Sequence, residues 1–447
     1  MDCDLRNSDT LSIIKQFPYV NGGLFAKHIQ IPKMGAKARK IIIECGELDW
    51  KDINPDIFGS MIQAVVNPEE RANQGMHYTS VPNIMKVINP LFLDELREEH
   101  KKLEEQQKQL QQQLDLGALK QKDYCNACAP IEKKCRQLLL RISKMKFFDP
   151  ACGSGNFLII TYKSLRLLEM DILKVIRSCK PGQQELNFID GSCITLKQFY
   201  GIELLDFPHE VAMLSLWLAE HQMNRKFSDE FKVNTRALPL HNITQIVCGN
   251  ACRIDWKEVC PHEPEDEVFV FGNPPYVGGK LQTKEQKDDL KLILGHLPSF
   301  KNLDYISIWF YKASYYINSK SSLSFVSTNS ICQGEQVGML WLYIYKNNVN
   351  IFFAFKSFKW SNNAKNNAGV TCVIIGLTKK SMTKAIYDDT KKEIVTNITP
   401  YLNQGNSTII YSSNTSISNL PTMEYGNMPL EGGYLKLNEL EKNGTVA

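Results

Sequence analysis

The stretch KFFDPACGSGNFLII, residues 146–160, restricts the fold of this chain more than any other part of the sequence. Apolar residues end at Asp149, a Gly153-Ser-Gly155 turn follows, and a long apolar run starts at Phe157. Strand, glycine turn and helix in this order form the first βα unit of a doubly wound sheet, where ligands bind at the carboxyl ends of strands. Leu158 replaces the third glycine of the dinucleotide fingerprint, which argues against NAD. The pattern predicts an α/β, Rossmann-like sheet with a ligand site at this turn.

Two further apolar segments end in polar residues that suit an adenosine ligand. Phe199-Tyr-Gly-Ile-Glu203 is predicted to be a strand with an acid at its end, and the strand that starts near Gln245 is followed by Asn250. A carboxylate at a strand end can accept hydrogen bonds from both ribose hydroxyls, and an asparagine can bond an adenine edge. A surface carboxylate is the alternative for Glu203.

The segment Phe271-Gly-Asn-Pro-Pro-Tyr276 follows a short apolar strand and suits the methylation of an amino group on a planar base. Such a nitrogen is a poor nucleophile, because its lone pair is delocalised into the ring. Two acceptors on its hydrogens would localise the lone pair. The Asn273 amide oxygen and the Pro274 carbonyl can supply them, since the Pro-Pro pair restricts φ and offers no competing N–H. Pro275 completes this rigid turn and Tyr276 offers a ring face. The alternative is a proline-rich turn without a catalytic role.

These pieces, in this order, resemble the γ-type amino-methylating DNA methyltransferases, and more closely the MmeI-type restriction–modification enzymes. The resemblance covers about residues 45 to 380. It also rests on the strings at residues 47–59, 75–82, 325–335, 358–360 and 364–376.

The resemblance implies S-adenosylmethionine as cofactor and double-stranded DNA as substrate. It places Tyr78 and Thr79 at the methionine end of the cofactor, although Thr79 can equally be a helix cap. The remaining cofactor residues that it implies are Asp149, Ala151, Gly153, Gly155 and Phe157, with Glu203 on the ribose and Asn250 on the adenine. Asn250 stands where relatives often have aspartate. The implied reaction is site-specific methylation of adenine N6 after base flipping, with Tyr276 and either Phe358 or Trp360 stacking on the base.

The same resemblance implies a domain plan. Residues 1–66 are expected to be the remnant of a helical spacer, residues 67–385 the catalytic domain, and residues 386–447 the start of an incomplete target-recognition domain. A polar Glu/Lys/Gln run within residues 96–140 predicts a helical insertion, a solvated hairpin or short coiled-coil arm. A truncated reading frame, with a separate or missing recognition domain, is the preferred interpretation of the C-terminal segment.

Charge, hydropathy and cysteine spacing are consistent with a DNA-binding protein and argue against a membrane, secreted or metal-binding one. The formal net charge of +4 permits DNA binding without demanding it. No apolar run is long enough to span a membrane and the polar N-terminus is no signal peptide, so the 13 cysteines are expected to be reduced thiols of a cytoplasmic protein. Cys125, Cys128 and Cys135 lack a clear fourth ligand nearby, so no metal site is predicted.

The sequence is also compatible with other functions. The same pocket suits cytosine N4, an RNA base or a protein amide. A bifunctional endonuclease would need a metal-binding Asp and a Glu-x-Lys, and the segment before the catalytic region contains no such pair. A truncated, inactive fragment that binds DNA or cofactor is the third alternative.

Overall fold

The computed structural model describes residues 33–47, 79–180, 191–233, 245–359, 371–388, 391–406, 408–411 and 413. Two of the predicted site residues, Tyr78 and Trp360, lie outside these ranges. Contacts divide the chain into one unit that ends at Ile410 and a second unit, Tyr411–Ala447. The first unit contains the sheet and the candidate site.

Nine strands within the described residues form one sheet in the order β3-β2-β1-β4-β5-β7-β6-β8-β9. Their bounds are β1 Lys146–Asp149, β2 Phe199–Glu203, β3 Ile246–Cys248, β4 Val268–Gly272, β5 Ser322–Thr328, β6 Asn350–Lys359, β7 Thr371–Thr378, β8 Lys384–Tyr387 and β9 Lys392–Val395. The first five strands in this order are parallel to one another, and β7 is antiparallel to both β5 and β6. The strand order reverses beside β1, where doubly wound sheets bind ligands.

Ten α-helices are found among the described residues. They are α1 Ala36–Glu47, α2 Val81–Ile88, α3 Asp94–Asp115, α4 Gln121–Lys144, α5 Asn156–Ser178, α6 Asp206–Phe231, α7 Trp256–Val259, α8 Lys284–Leu294, α9 Ser307–Tyr316 and α10 Gly334–Tyr345. A π-helical turn, Asn89–Leu93, joins α2 to α3. None of the described helices is long and apolar enough to cross a membrane.

Helices cover both faces of the sheet, because successive side chains of a buried strand point to opposite sides. Phe147 on β1 packs on one face, with its ring 5.0 Å from that of Phe199. Phe148 packs on the other face, with its ring 5.4 Å from Trp256 of α7. The cores on these two faces contain α5 and α6 on the first side and α9 and α10 on the second. The predicted doubly wound α/β fold is confirmed.

The predicted helical insertion is the hairpin of α3 and α4. Its outer face carries exposed charges, but its inner face is not solvated. Leu96 and Leu103 of α3 and Tyr124, Cys128 and Cys135 of α4 are buried. The Tyr124 hydroxyl donates to the Ser178 carbonyl at 2.8 Å, which ties the hairpin to the end of α5. The hairpin therefore belongs to the core, because apolar residues on both helices share one face.

The sheet continues beyond the domain boundary that the sequence predicted at residue 385. That position lies within β8, which pairs in parallel with β6 and antiparallel with β9. The strands up to Val395 thus belong to the same sheet as β1.

Candidate functional site

The turn after β1 is built by two glycines in left-handed backbone conformations. Gly153 has φ 55° and Gly155 has φ 83°, values that side-chain-bearing residues rarely adopt. The Gly155 amide donates to the Cys152 carbonyl at 2.8 Å, and the Gly155 carbonyl accepts the Ile159 amide in the first turn of α5. A Cβ at Gly155 would lie 3.3 Å from the Cβ of Ala212 on α6. Close packing of α5 on α6 and the backbone conformation therefore both require glycine here.

Glu203, at the end of β2, holds this turn in place. Its Oε2 accepts the Gly153 amide at 2.9 Å and its Oε1 accepts the Leu205 amide at 3.0 Å. Burial raises the pKa of the Glu203 carboxyl, and the two backbone amides oppose that rise. Each carboxylate oxygen has a further lone pair, so the side chain retains acceptor capacity for the two hydroxyls of a ribose.

Asp149 ends β1 in the interior of the site. Its Oδ1 accepts the Ala151 amide at 3.0 Å. Burial raises the pKa of the Asp149 carboxyl to about 8, and the negative charge of Glu203 adds to this rise. Gly272, at the end of the adjacent β4, leaves room for this carboxyl, since a Cβ there would overlap Asp149 Oδ1. The glycine before Asn273 is thus required by the neighbouring strand.

The raised pKa of Asp149 predicts a specific pH dependence of stability. Because the folded-state pKa lies above the unfolded value of about 3.9, the contribution of Asp149 is present at low pH and is lost as the pH rises through about 8. The free energy of unfolding of the parent, relative to Asp149→Asn, should fall between about pH 4 and pH 8 and then stay level. Denaturant unfolding of both proteins across this range measures it. A difference that grows with pH would contradict the assignment.

Asn250 follows β3 and is engaged on both sides of its amide. Its Nδ2 donates to Asp289 Oδ2 at 2.8 Å, and its Oδ1 accepts the Cys252 amide at 2.8 Å. Ala251 is buried. On α9, the Lys312 ammonium donates to the carbonyls of Ala251, Cys252 and Ile254, which fixes the loop after β3.

The Asn273–Tyr276 segment begins directly after β4. Asn273 Nδ2 donates to Thr79 Oγ1 at 3.2 Å. Asn273 Oδ1 is buried and has no hydrogen-bond donor among the described residues. Pro274 is buried and Pro275 is half-buried. Thr79 does not cap α2, because Ser80 occupies the cap position and makes no side-chain cap bond. The structure therefore joins Thr79 to the candidate catalytic asparagine.

Asp304 anchors the end of the same segment, and nothing in the sequence pattern marked it. Its Oδ1 accepts the Val277 amide at 2.9 Å, while the Val277 carbonyl accepts the Tyr305 amide at 3.0 Å. Burial raises the pKa of the Asp304 carboxyl. Trp309 donates from its indole nitrogen to the Pro150 carbonyl at 3.2 Å, so residues 304–309 contact both the turn after β1 and the residue that follows Tyr276.

The aromatic residues predicted to stack on a base are only partly accessible. Tyr276 is half-buried, and its hydroxyl pKa is raised by burial and by the Cys372 thiol. Phe358 on β6 is 6% exposed and pairs in register with Cys372 on β7. The Lys86 ammonium lies 4.3 Å from the centre of the Phe358 ring. Lys86 and Phe358 thus pack together in this conformation.

Phe157 and Ala151 occupy different surroundings. The Phe157 ring is buried and lies 6.0 Å from that of Phe271, within the core between α5 and β4. Ala151 is half-buried at the glycine turn. Phe157 therefore packs in the core next to the turn, whereas Ala151 is partly exposed at the turn.

One group with metal-ligand geometry occurs among the described residues. Asp206, His209 and Glu210, in the first turns of α6, bring their ligand atoms within 4.8 Å of one another. His209 Nδ1 lies 3.4 Å from Glu210 Oε1, a distance that also suits an ion pair.

The chain is similar to several known proteins. The family model of the DNA-methyltransferase domain of MmeI matches residues 125–388. DNA methyltransferase A of Bacillus subtilis is 50% identical over 437 residues, which cover 96% of this chain and 46% of that protein. A putative type II restriction enzyme and methyltransferase of Methanocaldococcus jannaschii is 25% identical over 242 residues, 48% of this chain and 19% of that protein.

A solved structure of the type IIL restriction–modification enzyme MmeI in complex with DNA superposes with a TM-score of 0.84 at 38% identity, covering 99% of this chain and 56% of that one. The chain thus spans about half the length of the Bacillus subtilis relative and of MmeI. Because the family model matches more than half of its 447 residues, the chain belongs to the MmeI DNA-methyltransferase family.

Proposed function

We propose that this chain transfers a methyl group from S-adenosylmethionine to the N6 amine of a flipped adenine in double-stranded DNA, as the site-specific methyltransferase of a restriction–modification system. The observation that carries the proposal is the Asn273 amide. Its nitrogen is held by Thr79, and its buried oxygen accepts no hydrogen bond from the described residues. A buried acceptor without a donor costs free energy, which supports a substrate amine as the donor to Asn273 Oδ1.

Thr79 holds one end of the Asn273 amide. The Thr79 oxygen accepts from Nδ2, so Oδ1 remains as the acceptor. An exocyclic amine that donates to Oδ1 and to the Pro274 carbonyl has both hydrogens engaged, and its lone pair is then directed away from the ring. The chain positions the reacting groups and excludes water from them. The nitrogen can lose its proton after the methyl transfer, without a dedicated general base.

The carboxyl ends of β1, β2 and β3 fit an adenosyl cofactor. An added Cβ at Gly153 would meet no neighbour among the described residues, so this glycine leaves room for a ligand. Glu203 offers acceptors for ribose hydroxyls, and Asn250 stands at the next strand end. The cofactor supplies an electrophilic methyl group to this site when bound. Asp149 and Ala151 would line its methionine side, together with Thr79 and Tyr78.

A base must leave the DNA stack to reach Asn273, at a cost of a few kcal/mol. Tyr276 would stack on one face of this base. Phe358 or Trp360 would take the other face. Because the Lys86 ammonium lies over the Phe358 ring, stacking by Phe358 would require Lys86 to move.

Removing the Glu203 carboxylate tests the cofactor site. Glu203→Ala deletes the acceptor for the ribose and releases the Gly153 amide. We expect the dissociation constant of S-adenosylhomocysteine to rise by about 10- to 100-fold, on the scale of one or two charge-assisted hydrogen bonds. Calorimetric titration of the folded variant measures it, with exposed Glu258→Ala as the matched control. Unchanged affinity would refute the role of Glu203.

The substrate class is tested with labelled cofactor. Methyl transfer from radiolabelled S-adenosylmethionine is compared on duplex DNA, RNA and protein, and the labelled DNA is digested to nucleosides. The proposal expects label in N6-methyl-2′-deoxyadenosine from duplex DNA. Label in N4-methylcytosine, in RNA or in protein would replace the proposed substrate by that alternative. The absence of any transfer by a protein that binds the cofactor would favour the binding fragment.

The domain plan remains part of the proposal. The catalytic domain would begin near residue 67 and include the strands up to Val395, because β8 and β9 belong to its sheet. Residues 1–66 would form the helical spacer, and the segment after Val395 would belong to a target-recognition domain. Base-edge contacts in the grooves, which provide sequence specificity, would come from that last domain.

A further inference from the structure

Asp289, a buried residue of α8, contacts the side chain of Asn250 at the nucleoside end of the proposed cofactor site. Asp289 is 2% exposed, and its Oδ2 accepts Asn250 Nδ2 at 2.8 Å. The same carboxylate accepts the Tyr305 hydroxyl at 2.9 Å and Arg253 Nε at 2.7 Å. Three donors thus fix this carboxylate.

These contacts allow one orientation of the Asn250 amide. With the amide flipped, its oxygen would face the Asp289 carboxylate and its nitrogen would face the Cys252 N–H. Both would be contacts between groups of the same kind, acceptor against acceptor and donor against donor. In the observed orientation both are hydrogen bonds of 2.8 Å. The neighbouring groups therefore determine the position of Oδ1 through two independent bonds.

We propose that Asp289 is a positioning residue that makes Asn250 present an acceptor to the cofactor and so selects a 6-amino purine over a 6-oxo purine. The inference rests on the proposed function of the site. Oδ1 has a second lone pair beyond the one that the Cys252 amide uses. Asn250 is half-buried and lies two residues beyond Cys248, which pairs in register with Glu203.

This arrangement gives asparagine the hydrogen-bonding character of an aspartate. A free amide can turn over and offer either a donor or an acceptor, so it would accept adenine and hypoxanthine alike. Held by Asp289, Asn250 offers an acceptor, which matches the amino group of adenine and opposes the carbonyl oxygen of hypoxanthine. Buried polar groups left without a partner are the main source of such discrimination.

The test compares two product analogues, S-adenosylhomocysteine and S-inosylhomocysteine, by calorimetric titration of the whole chain. The parent is expected to bind the adenosyl compound at least about tenfold more tightly. Asp289→Asn, which can turn its own amide, removes the constraint from α8 and keeps that from the Cys252 N–H, so it should reduce this preference by about threefold or more. Asp288→Asn is the matched control, because it removes the same charge from an exposed position of the same helix. It should keep the preference of the parent.

Exchanging the residues at positions 250 and 289 separates the effect of amide orientation from a general loss of structure at the site. In the double variant Asn250→Asp/Asp289→Asn, the amide introduced on α8 donates to the carboxylate introduced after β3, and that carboxylate again faces the cofactor as an acceptor. We expect the preference for the adenosyl compound to return to within about threefold of the parent. Asn250→Asp alone brings two carboxylates together and should weaken binding of both compounds.

Three outcomes overturn the inference: a parent without preference between the two compounds, an unchanged preference in Asp289→Asn, or an exchange variant that folds and still fails to discriminate. A parent that binds neither compound would instead refute the proposed cofactor.

Discussion

Replacing Asn273 by alanine is expected to lower the rate of methyl transfer by about 10²–10³-fold, the effect of removing one hydrogen-bonding group that acts in the transition state. Cofactor affinity should change by less than about twofold, because the proposed role of the buried Oδ1 is to accept from the substrate amine and not to bind the cofactor. Single-turnover transfer from labelled cofactor to the substrate that the parent methylates gives the rate, and calorimetry gives the affinity.

Two further variants sharpen this test. Asn302→Ala, at an exposed position, should leave the rate unchanged. Thr79→Val removes the acceptor that holds Asn273 Nδ2 and should cost about tenfold in rate, because the amide is then no longer held in place by a hydrogen bond. A turnover of Asn273→Ala within about tenfold of the parent would exclude the proposed role of this side chain.

The second large expected effect is on the stability of the fold, and it concerns the buried ion pair of α5. Arg166 Nε donates to Glu169 Oε2 at 3.0 Å, and both side chains are at most 2% exposed. Glu169 also accepts the Ser192 hydroxyl at 2.6 Å and the Cys193 amide at 2.7 Å. Glu169→Ala removes the carboxylate that is bonded to a buried guanidinium, so we expect the free energy of unfolding to fall by about 3–5 kcal/mol. Denaturant unfolding followed by circular dichroism measures it.

The controls for this effect lie on the same helix. Asp171→Ala removes an exposed carboxylate that pairs with Lys174 at 3.0 Å, and it should cost at most about 1 kcal/mol. The apolar double variant Arg166→Met/Glu169→Leu should recover most of the loss, since it removes both charges together. A loss below about 1 kcal/mol in Glu169→Ala would show that the pair contributes little to the fold.

Features that depend on a few consecutive residues were predictable from the sequence. The strand, glycine turn and helix of residues 146–178 lie where the pattern predicted them, because backbone conformations such as that of Gly155 are local. The position of Glu203 at the end of β2 follows from the same kind of pattern. The resemblance to the MmeI-type enzymes is confirmed by the family model. The roles of the site residues, Asn273 and Glu203 among them, stay predictions.

Features that depend on contacts between distant segments needed the tertiary structure. No local signal predicted that Thr79 would hold Asn273 across 194 residues of chain, or that Asp289 would hold Asn250 across 39. The helical hairpin looked solvated because its charges are dense, yet its sparse apolar residues share one buried face. The order of the strands in the sheet brings residues that are distant in the sequence close together. Periodicity along the chain reports the face a side chain occupies but not which segment packs against it. Local sequence patterns therefore predicted the βα unit and the chemical character of the strand ends. The contacts of Asn273 with Thr79 and of Asn250 with Asp289, which depend on the tertiary structure, decide which amide atoms remain available to a ligand.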